Sequence, residues 1–262
     1  MEVYKKKYNV ILDDMDLEEY KLRPLSAIKY IQDAFARYTA TKKMAAYDMF
    51  PLNIYWVIGE FNIEFTNTAP FWSEEFEVEI WISELTKLKI YTDFKINYRN
   101  KTFAKGNACW FLINSTSKRP NKTDMVQERF KIKEELTLGE HKKFILPELK
   151  DKIGELKHIN NHSDLDFNNH VNNKSYINLS DVINNKILKK KYSVKSLSVR
   201  FNQETYLNDE IICTKYSTTK DMTYADKITK NGVSVCETIT GFKEKEKHET
   251  ILEAKTDIKE EK

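Results

Sequence analysis

Long apolar runs are missing from this sequence. Although 40% of its 262 residues are hydrophobic, no run approaches the roughly 20 residues that a membrane-spanning helix needs. The basic residues Lys5 to Lys7 near the N-terminus are not followed by the apolar stretch of a signal peptide. We therefore expect a cytoplasmic protein with no integral membrane association.

An excess of one charge sign is also missing. The formal net charge is only +3, and positive and negative residues are interspersed, so the composition gives no reason to expect nucleic-acid binding. Basic clusters lie at Lys5 to Lys7, Lys142-Lys143 and Lys189 to Lys191. Two interpretations of them stay open, namely solvated surface lysines and a docking surface that steers an acidic partner.

Cysteine is limited to Cys109, Cys213 and Cys236, which lie far apart in the chain. The sequence contains no C-x-x-C motif and no cysteine spacing with histidine that is typical of zinc sites. Each cysteine lies in an apolar or β-like run, which favours a small buried side chain. We predict no bound metal and no cofactor.

What the sequence does contain is a helix-then-strands order that occurs twice. Apolar residues recur at helical spacing over Pro24 to Tyr38 and again over Tyr176 to Ile187, and Arg99-Asn100-Lys101 is a plausible hairpin connection. Strand-like sequence begins at Trp56. The β-like runs after it are Glu75 to Ile80, Leu88 to Tyr98, Phe103 to Ile113, Ser196 to Phe201, Glu210 to Tyr216, Tyr224 to Thr229 and Val233 to Phe242.

The two copies align locally. Asp16 to Tyr20 matches Asp166 to His170 at an offset of 150, and Phe61 to Phe65 matches Leu197 to Phe201 at an offset of 136. We therefore predict a duplicated α+β unit in which one long helix is wrapped by an antiparallel sheet, with the two sheets joined edge to edge. The predicted boundaries are 1–125 for the first repeat, 126–150 for a linker, 151–245 for the second repeat and 246–262 for a charged tail.

The polar segment from Ser163 to Tyr176 carries the strongest chemical signal. An Asn- and Asp-rich stretch before a helix is most often a capped turn. Here, however, Asp166, Asn168 and His170 alternate, so in an extended segment their side chains would project to one side. A histidine beside a carboxylate and an amide can transfer protons and polarise a carbonyl group.

The motif Asp166-x-Asn168-x-His170-Val171-Asn172-Asn173-x-x-Tyr176 resembles the active-site motif of the acyl-acyl-carrier-protein (acyl-ACP) thioesterases. The resemblance runs in order from about residue 5 to 243. Two further stretches that carry it are Trp56 with Phe61 to Phe65 and Pro70, and Trp110 to Ile113 with Thr116 and Lys118-Arg119-Pro120. Asn114 stands where the family usually has Asp.

The resemblance implies a tandem (double) hot-dog fold and hydrolysis of the thioester of fatty acyl-ACP, which releases free fatty acid and ends chain elongation. It also implies an acidic catalytic residue 38 positions after Asp166, where Glu204 stands. The N-terminal repeat would bind the acyl chain, and the C-terminal repeat would be catalytic. Acyl carrier protein is the implied partner, and pairing of two chains into a homodimer stays open.

The internal repeat supports the same site, because the first copy has Tyr20, Glu18 and Thr68 where the second has His170, Asn168 and Glu204. Plant members of the family commonly have Cys directly after the acidic residue, but here that position is Thr205, so we expect water rather than a thiolate as nucleophile. Glu204 and His170 would position and deprotonate this water. Asn168 would help to hold the thioester carbonyl or the water, and Asp166 would orient its neighbours. The backbone N–H of Val171 is a further candidate, as an oxyanion donor at a helix start.

Two other functions fit the sequence less completely. An acyl-CoA thioesterase of the hot-dog superfamily would carry much the same motif, because it cleaves the same bond. A non-catalytic acyl-binding protein on this scaffold would be expected to have lost the polar residues, which are present here. Acyl chain length depends on the shape of the pocket and does not follow from the sequence.

Overall fold

The structure is a computed structural model that describes residues 2–141, 143–166, 169–188 and 192–245; the predicted charged tail, 246–262, lies outside the described residues. Its N-terminal half comprises β1 Tyr4–Asn9, α1 Ala27–Thr41, α2 Ala46–Met49, β2 Ile54–Phe65, β3 Glu75–Leu85, β4 Ile90–Tyr98 and β5 Lys101–Asn114. After α3 Asp124–Arg129, the C-terminal half comprises β6 Leu149–Ile159, α4 Asn173–Leu188, β7 Tyr192–Phe201, β8 Glu210–Thr218, β9 Thr223–Lys230 and β10 Val233–Glu244.

The ten strands of the described residues form one antiparallel sheet in the order β1-β3-β4-β5-β2-β7-β10-β9-β8-β6. The halves therefore join where β2 pairs with β7, and the strand order is mirrored about that pair. Asn62 lies opposite Ser198 there, and these two residues are counterparts under the offset of 136. An approximate twofold axis thus passes between them, and the predicted tandem hot-dog architecture is confirmed.

Helix α1 forms where apolar residues recur every three or four positions. Ile28, Ile31, Phe35 and Tyr38 are all buried, which places one face of the helix against the sheet. Pro24 begins a 3-10 turn that leads into the helix, which itself starts at Ala27. The prediction of a helix over Pro24 to Tyr38 is therefore correct in place, with both ends shifted by three residues.

The connection between β4 and β5 consists of two residues, as does the one between β9 and β10. Arg99 and Asn100 are the two turn residues between β4 and β5, with φ values of 46° and 57°. Two consecutive left-handed residues are the signature of a type I′ hairpin, whose twist matches that of the flanking strands. The predicted hairpin connection is confirmed.

The segment between α3 and β6 lies across the outer face of the N-terminal half. The indole of Trp81 donates to the carbonyl of Glu135 at 3.0 Å. The buried Asp93 carboxylate accepts hydrogen bonds from the backbone and hydroxyl of Thr137 at 2.7 and 2.8 Å. These contacts attach the middle of the predicted linker to the sheet. The strands β1 and β6 were not predicted from the sequence.

No helix within the described part of the chain is long and apolar enough to cross a membrane.

Candidate active site

A tight turn places the predicted catalytic histidine at the start of α4. The N–H of Asp166 donates to the carbonyl of His170 at 2.8 Å, and Leu165 forms a β-bridge with Val171 on either side of this turn. Just before it, the Asn161 side chain caps the 3-10 turn His162–Asp164. These local bonds hold His170 at the junction of loop and helix.

Asp166 helps to shape this turn, since its Oδ1 atom accepts a 3.4 Å hydrogen bond from the His170 N–H. Asp164 is a structural neighbour, with Oδ2 accepting from the Asn161 N–H at 2.9 Å and lying 2.8 Å from His158 Nε2. Burial raises the pKa of Asp164, but these hydrogen bonds outweigh burial and leave it lowered. Asn168, the third predicted polar residue of the motif, lies outside the described residues.

Glu204 lies beside His170. It lies three residues beyond the end of β7, and its Oε1 atom is 3.3 Å from His170 Nδ1. The Tyr55 hydroxyl donates to the same oxygen at 3.2 Å, and the Tyr206 hydroxyl donates to Oε2 at 3.4 Å. The carboxylate is thus held by donors from both halves of the molecule.

Both phenols remain protonated over the ordinary pH range. Burial, and then the nearby charge of Glu204, raise the pKa of Tyr55 to about 12. The same two causes raise the pKa of Tyr206. A protonated phenol can only donate to a carboxylate, so the two tyrosines hold the Glu204 side chain in place through its two oxygens.

No sequence pattern indicated Tyr55, which reaches the site from β2 of the other half. Its ring lies 6.4 Å from that of His170, and the Tyr206 ring lies 5.3 Å away, edge-on. Tyr206 follows Glu204 by two positions, so its place near the site could have been predicted from the sequence. The motif and its acidic partner define only the C-terminal part of a site that both halves build.

Thr205, next to Glu204, connects the site to neighbouring loops and to α4 through hydrogen bonds. Its buried hydroxyl accepts a 3.0 Å hydrogen bond from the Asn160 amide and is 2.7 Å from the Tyr176 hydroxyl. Its carbonyl accepts the N–H of Val171 at 2.9 Å. This last bond corrects the prediction that the Val171 N–H is an oxyanion donor, because a donor already bound to Thr205 is not directed at a substrate.

None of the three cysteines reaches this site. All three are buried, as the sequence predicted, and all three are free cysteines. Burial raises the pKa of Cys109 to about 11 and also raises those of Cys213 and Cys236. Buried thiols that resist ionisation are not nucleophiles.

A cavity of about 170 Å³ opens beside His170. Every other residue that lines it comes from the N-terminal half, chiefly from the start of β2 and the loop after β5. The lining residues are Phe50, Asn53, Ile54, Tyr55, Ser115, Lys118 and His170. The imidazole therefore faces a space that belongs to the other half of the molecule.

Comparison with known proteins identifies two family matches. The model of the acyl-ACP thioesterase N-terminal domain matches residues 1–130, and that of the C-terminal domain matches residues 149–244. Together they cover more than half of the chain. No curated protein matches the sequence significantly.

Solved structures show the same fold at low sequence identity. An acyl-ACP thioesterase from Bacteroides thetaiotaomicron is 18% identical, with a TM-score of 0.79 over 92% of this chain and 98% of that one. The 12:0-ACP thioesterase from Umbellularia californica is 15% identical, with a TM-score of 0.81 over 93% and 98% of the two chains.

Proposed function

The chain belongs to the acyl-ACP thioesterase family, and from this premise we propose that it hydrolyses fatty acyl-ACP with water at the site formed by His170, Glu204 and Tyr55. The observation that carries the assignment of the site is the contact of His170 and Tyr55 with one oxygen of Glu204, at 3.3 and 3.2 Å, beside a cavity. The products are a free fatty acid and the thiol of the carrier protein. The proposed location is the cytoplasm.

The contacts favour His170 as the proton acceptor. With Nδ1 facing the Glu204 carboxylate, the neutral ring carries its hydrogen on Nδ1 and leaves the lone pair of Nε2 free. A water molecule that attacks the thioester carbonyl carbon gives its proton to Nε2. When the tetrahedral intermediate collapses, the C–S bond breaks and the same proton passes to the departing sulfur.

Glu204 has a positioning role in this scheme. Its negative charge fixes the tautomer of His170 and stabilises the imidazolium that forms during attack. Asp166 maintains the turn that carries the imidazole. Asn168 keeps its predicted role of holding the thioester carbonyl or the water, which the described residues do not test.

The test uses acyl carrier protein loaded with acyl chains of several lengths, with thiol release as the measurement. We expect His170→Ala and Glu204→Gln each to lower kcat by about 10²- to 10⁴-fold, the usual contribution of general acid–base catalysis. Tyr20→Ala is the matched control, because Tyr20 occupies the equivalent position of the N-terminal half. Near-wild-type turnover in either site variant would refute the assignment.

The same assay distinguishes an acyl-ACP thioesterase from an acyl-CoA thioesterase and from a non-catalytic acyl-binding protein. Acyl-CoA of matched chain length serves as the second substrate, and faster release from it would favour the acyl-CoA thioesterase. Release from neither substrate, with fatty acid still bound, would favour a non-catalytic binding protein.

We propose that the carrier protein docks beside the cavity, at Lys118 and Arg119. Lys118 lines the cavity, and Lys118 and Arg119 are both exposed. Of the clusters considered from sequence, Lys5 and Lys7 are paired with Glu79 and Glu75, while Lys142 and residues 189–191 lie outside the described residues.

We expect the charge reversal Lys118→Glu/Arg119→Glu to raise KM for acyl-ACP about tenfold, with kcat little changed, because these charges would attract the acidic carrier protein. The KM for a carrier-free acyl thioester, such as an acyl-pantetheine, should not change. An unchanged KM for acyl-ACP at low salt would place docking elsewhere.

A further inference from the structure

The cores of the two halves differ in chemistry at positions that the fold makes equivalent. The register identifies these positions, starting from Ile63 and Val199, which are counterparts one step from the twofold axis. In the N-terminal half, Ile63 pairs with Gly106, Gly106 with Phe94, and Phe94 with Ile80. In the C-terminal half, Val199 pairs with Thr238, Thr238 with Asp226, and Asp226 with Lys215.

The N-terminal row is apolar. Ile63, Phe94 and Ile80 are almost completely buried, and the Phe94 ring stacks on Phe61 at 5.3 Å. The ring also fills the space above Gly106, where an added Cβ would lie 2.5 Å from it. In the N-terminal half, the side chains of this row that lie beneath α1 are therefore all apolar.

The C-terminal row is ionic. The Nζ of Lys215 lies 2.7 and 2.8 Å from the two carboxylate oxygens of Asp226, and both side chains are completely buried. The Ser180 hydroxyl on α4 and the Thr238 hydroxyl donate to the same carboxylate at 2.6 and 2.7 Å. A buried pair of this kind contributes little net stability compared with apolar residues, so its presence calls for another reason.

Polar side chains also occur beneath α4 at three successive helical turns, and the ionic row lies at the second of them. Nearest to His170, Tyr176 is hydrogen-bonded to Thr205. One helical turn further, Ser180 reaches Asp226. Another turn on, both side-chain polar atoms of Asn184 are buried without a hydrogen-bond partner among the described residues. A chain leaving His170 under α4 would therefore meet polar groups at each turn.

We propose that the Lys215–Asp226 pair closes the C-terminal half to the fatty acyl chain and so directs the chain into the N-terminal half. This inference rests on the proposed function. A chain entering beneath α4 would have to displace Lys215 from Asp226 where no water can replace the lost contacts, which is unfavourable. In the N-terminal half it would displace only apolar side chains, and its own methylene groups would restore their packing.

The test replaces the pair by apolar residues of similar size, Lys215→Met/Asp226→Leu, so that neither charge is left alone. A chain lodged in the opened C-terminal half would occupy the enzyme without reacting. We therefore expect kcat and KM for long-chain acyl-ACP to fall together, by about threefold or more, with kcat/KM unchanged. Short chains should be affected less.

Lys227→Met is the matched control, because Lys227 is adjacent to Asp226 on β9 and its side chain projects to the opposite face of the sheet. This variant should keep the wild-type kcat, KM and chain-length profile. Unchanged kinetics in a double variant with the wild-type circular dichroism spectrum would overturn the proposal.

A second measurement needs no variant. A long-chain fatty acid with a photoreactive diazirine at its methyl end should label only peptides of residues 1–125 in the wild-type protein. Labelling of α4, β8 or β9 in the wild type would overturn the proposal even if the double variant fails to fold. Because labelling reports binding, it stays informative if the wild type fails to hydrolyse acyl-ACP, the result that would refute the proposed function.

Discussion

At the scale of single residues, the surroundings of Glu204 determine how the site works. Its two carboxylate oxygens receive phenol hydrogens from Tyr55 and Tyr206, and one of them also faces His170. Hydrogen bonds to an ionised group are stronger than those between neutral groups. The tyrosines therefore fix the carboxylate in the orientation that holds the imidazole.

Tyr55→Phe tests the contribution of the N-terminal half. We expect kcat to fall about tenfold, because a hydrogen bond to a charged group is worth about 1.5 kcal/mol or more. The fold should be retained, since the ring remains. The measurement is thiol release from acyl-ACP, and a kcat equal to that of the wild type would show that Tyr55 does not help to position Glu204.

Tyr55 and Tyr176 also predict a loss of stability in alkali. Burial is the main cause that raises the pKa values of both Tyr55 and Tyr176 to about 12, whereas unfolded tyrosine ionises near pH 10. Between about pH 10 and 12 the unfolded chain loses protons that the folded chain keeps, so the free energy of unfolding falls as pH rises. Below pH 10 this contribution is fully present.

Thermal unfolding between pH 8 and 12 measures this effect. Each of Tyr55→Phe and Tyr176→Phe should make the fall of Tm above pH 10 less steep than in the wild type. A fall of equal steepness in both variants would contradict the prediction for these two residues.

At the scale of elements, prediction from sequence succeeded where buried apolar residues recur at a regular spacing. Helix α1 has a continuous apolar face. Seven strands were predicted from runs of β-forming residues, and β2 from the strand-like sequence that begins at Trp56. The missed strands, β1 and β6, lie at the two outer edges of the sheet. Their sequences, YKKKYN and LKDKIGELKHI, carry the lysines that protect an edge from further pairing, and these lysines make an edge strand resemble a loop.

The site shows the same limit. The motif and Glu204 lie in one half and could be found from sequence, whereas Tyr55 joins them only because β2 and β7 pair. No local pattern reports such a contact between distant strands. The bond from Val171 to Thr205 was equally invisible, because it links two loops.

The type I′ turn provides a test at this scale. Asn100 has a φ of 57°, which a β-branched residue adopts only with strain. We expect Asn100→Val to destabilise the protein by about 1–3 kcal/mol, measured by urea unfolding, while Asn100→Gly keeps or slightly raises the stability. Equal stability of the Val and Gly variants would contradict the assigned turn.

At the scale of the whole molecule, the pairing of β2 with β7 joins two cores into one sheet. Five residue pairs, from Glu60–Arg200 to Glu64–Ser196, form this junction. Each half alone would expose its joining strand as a long unpaired edge. The sites of hydrogen bonding on that edge are complementary to a second copy of the same strand in antiparallel orientation.

Residues 1–148 produced alone should therefore self-associate through β2, as dimers or larger species. Size-exclusion chromatography with light scattering would measure this, with the full chain for comparison. A stable monomer of the fragment would show that the edge is protected by other means. Whether the full chain forms a homodimer stays a prediction for the same measurement.

The two cores lie on either side of the axis between Asn62 and Ser198 but in one chain, so mutations can change them independently. In a dimer of two identical hot-dog chains, a single codon change alters both cores at once, so a lysine that closes one core closes the other. Here the two cores are encoded by separate stretches of one gene. A buried lysine at position 215 can therefore be inherited while position 80 stays isoleucine, and the two halves are free to become different in kind.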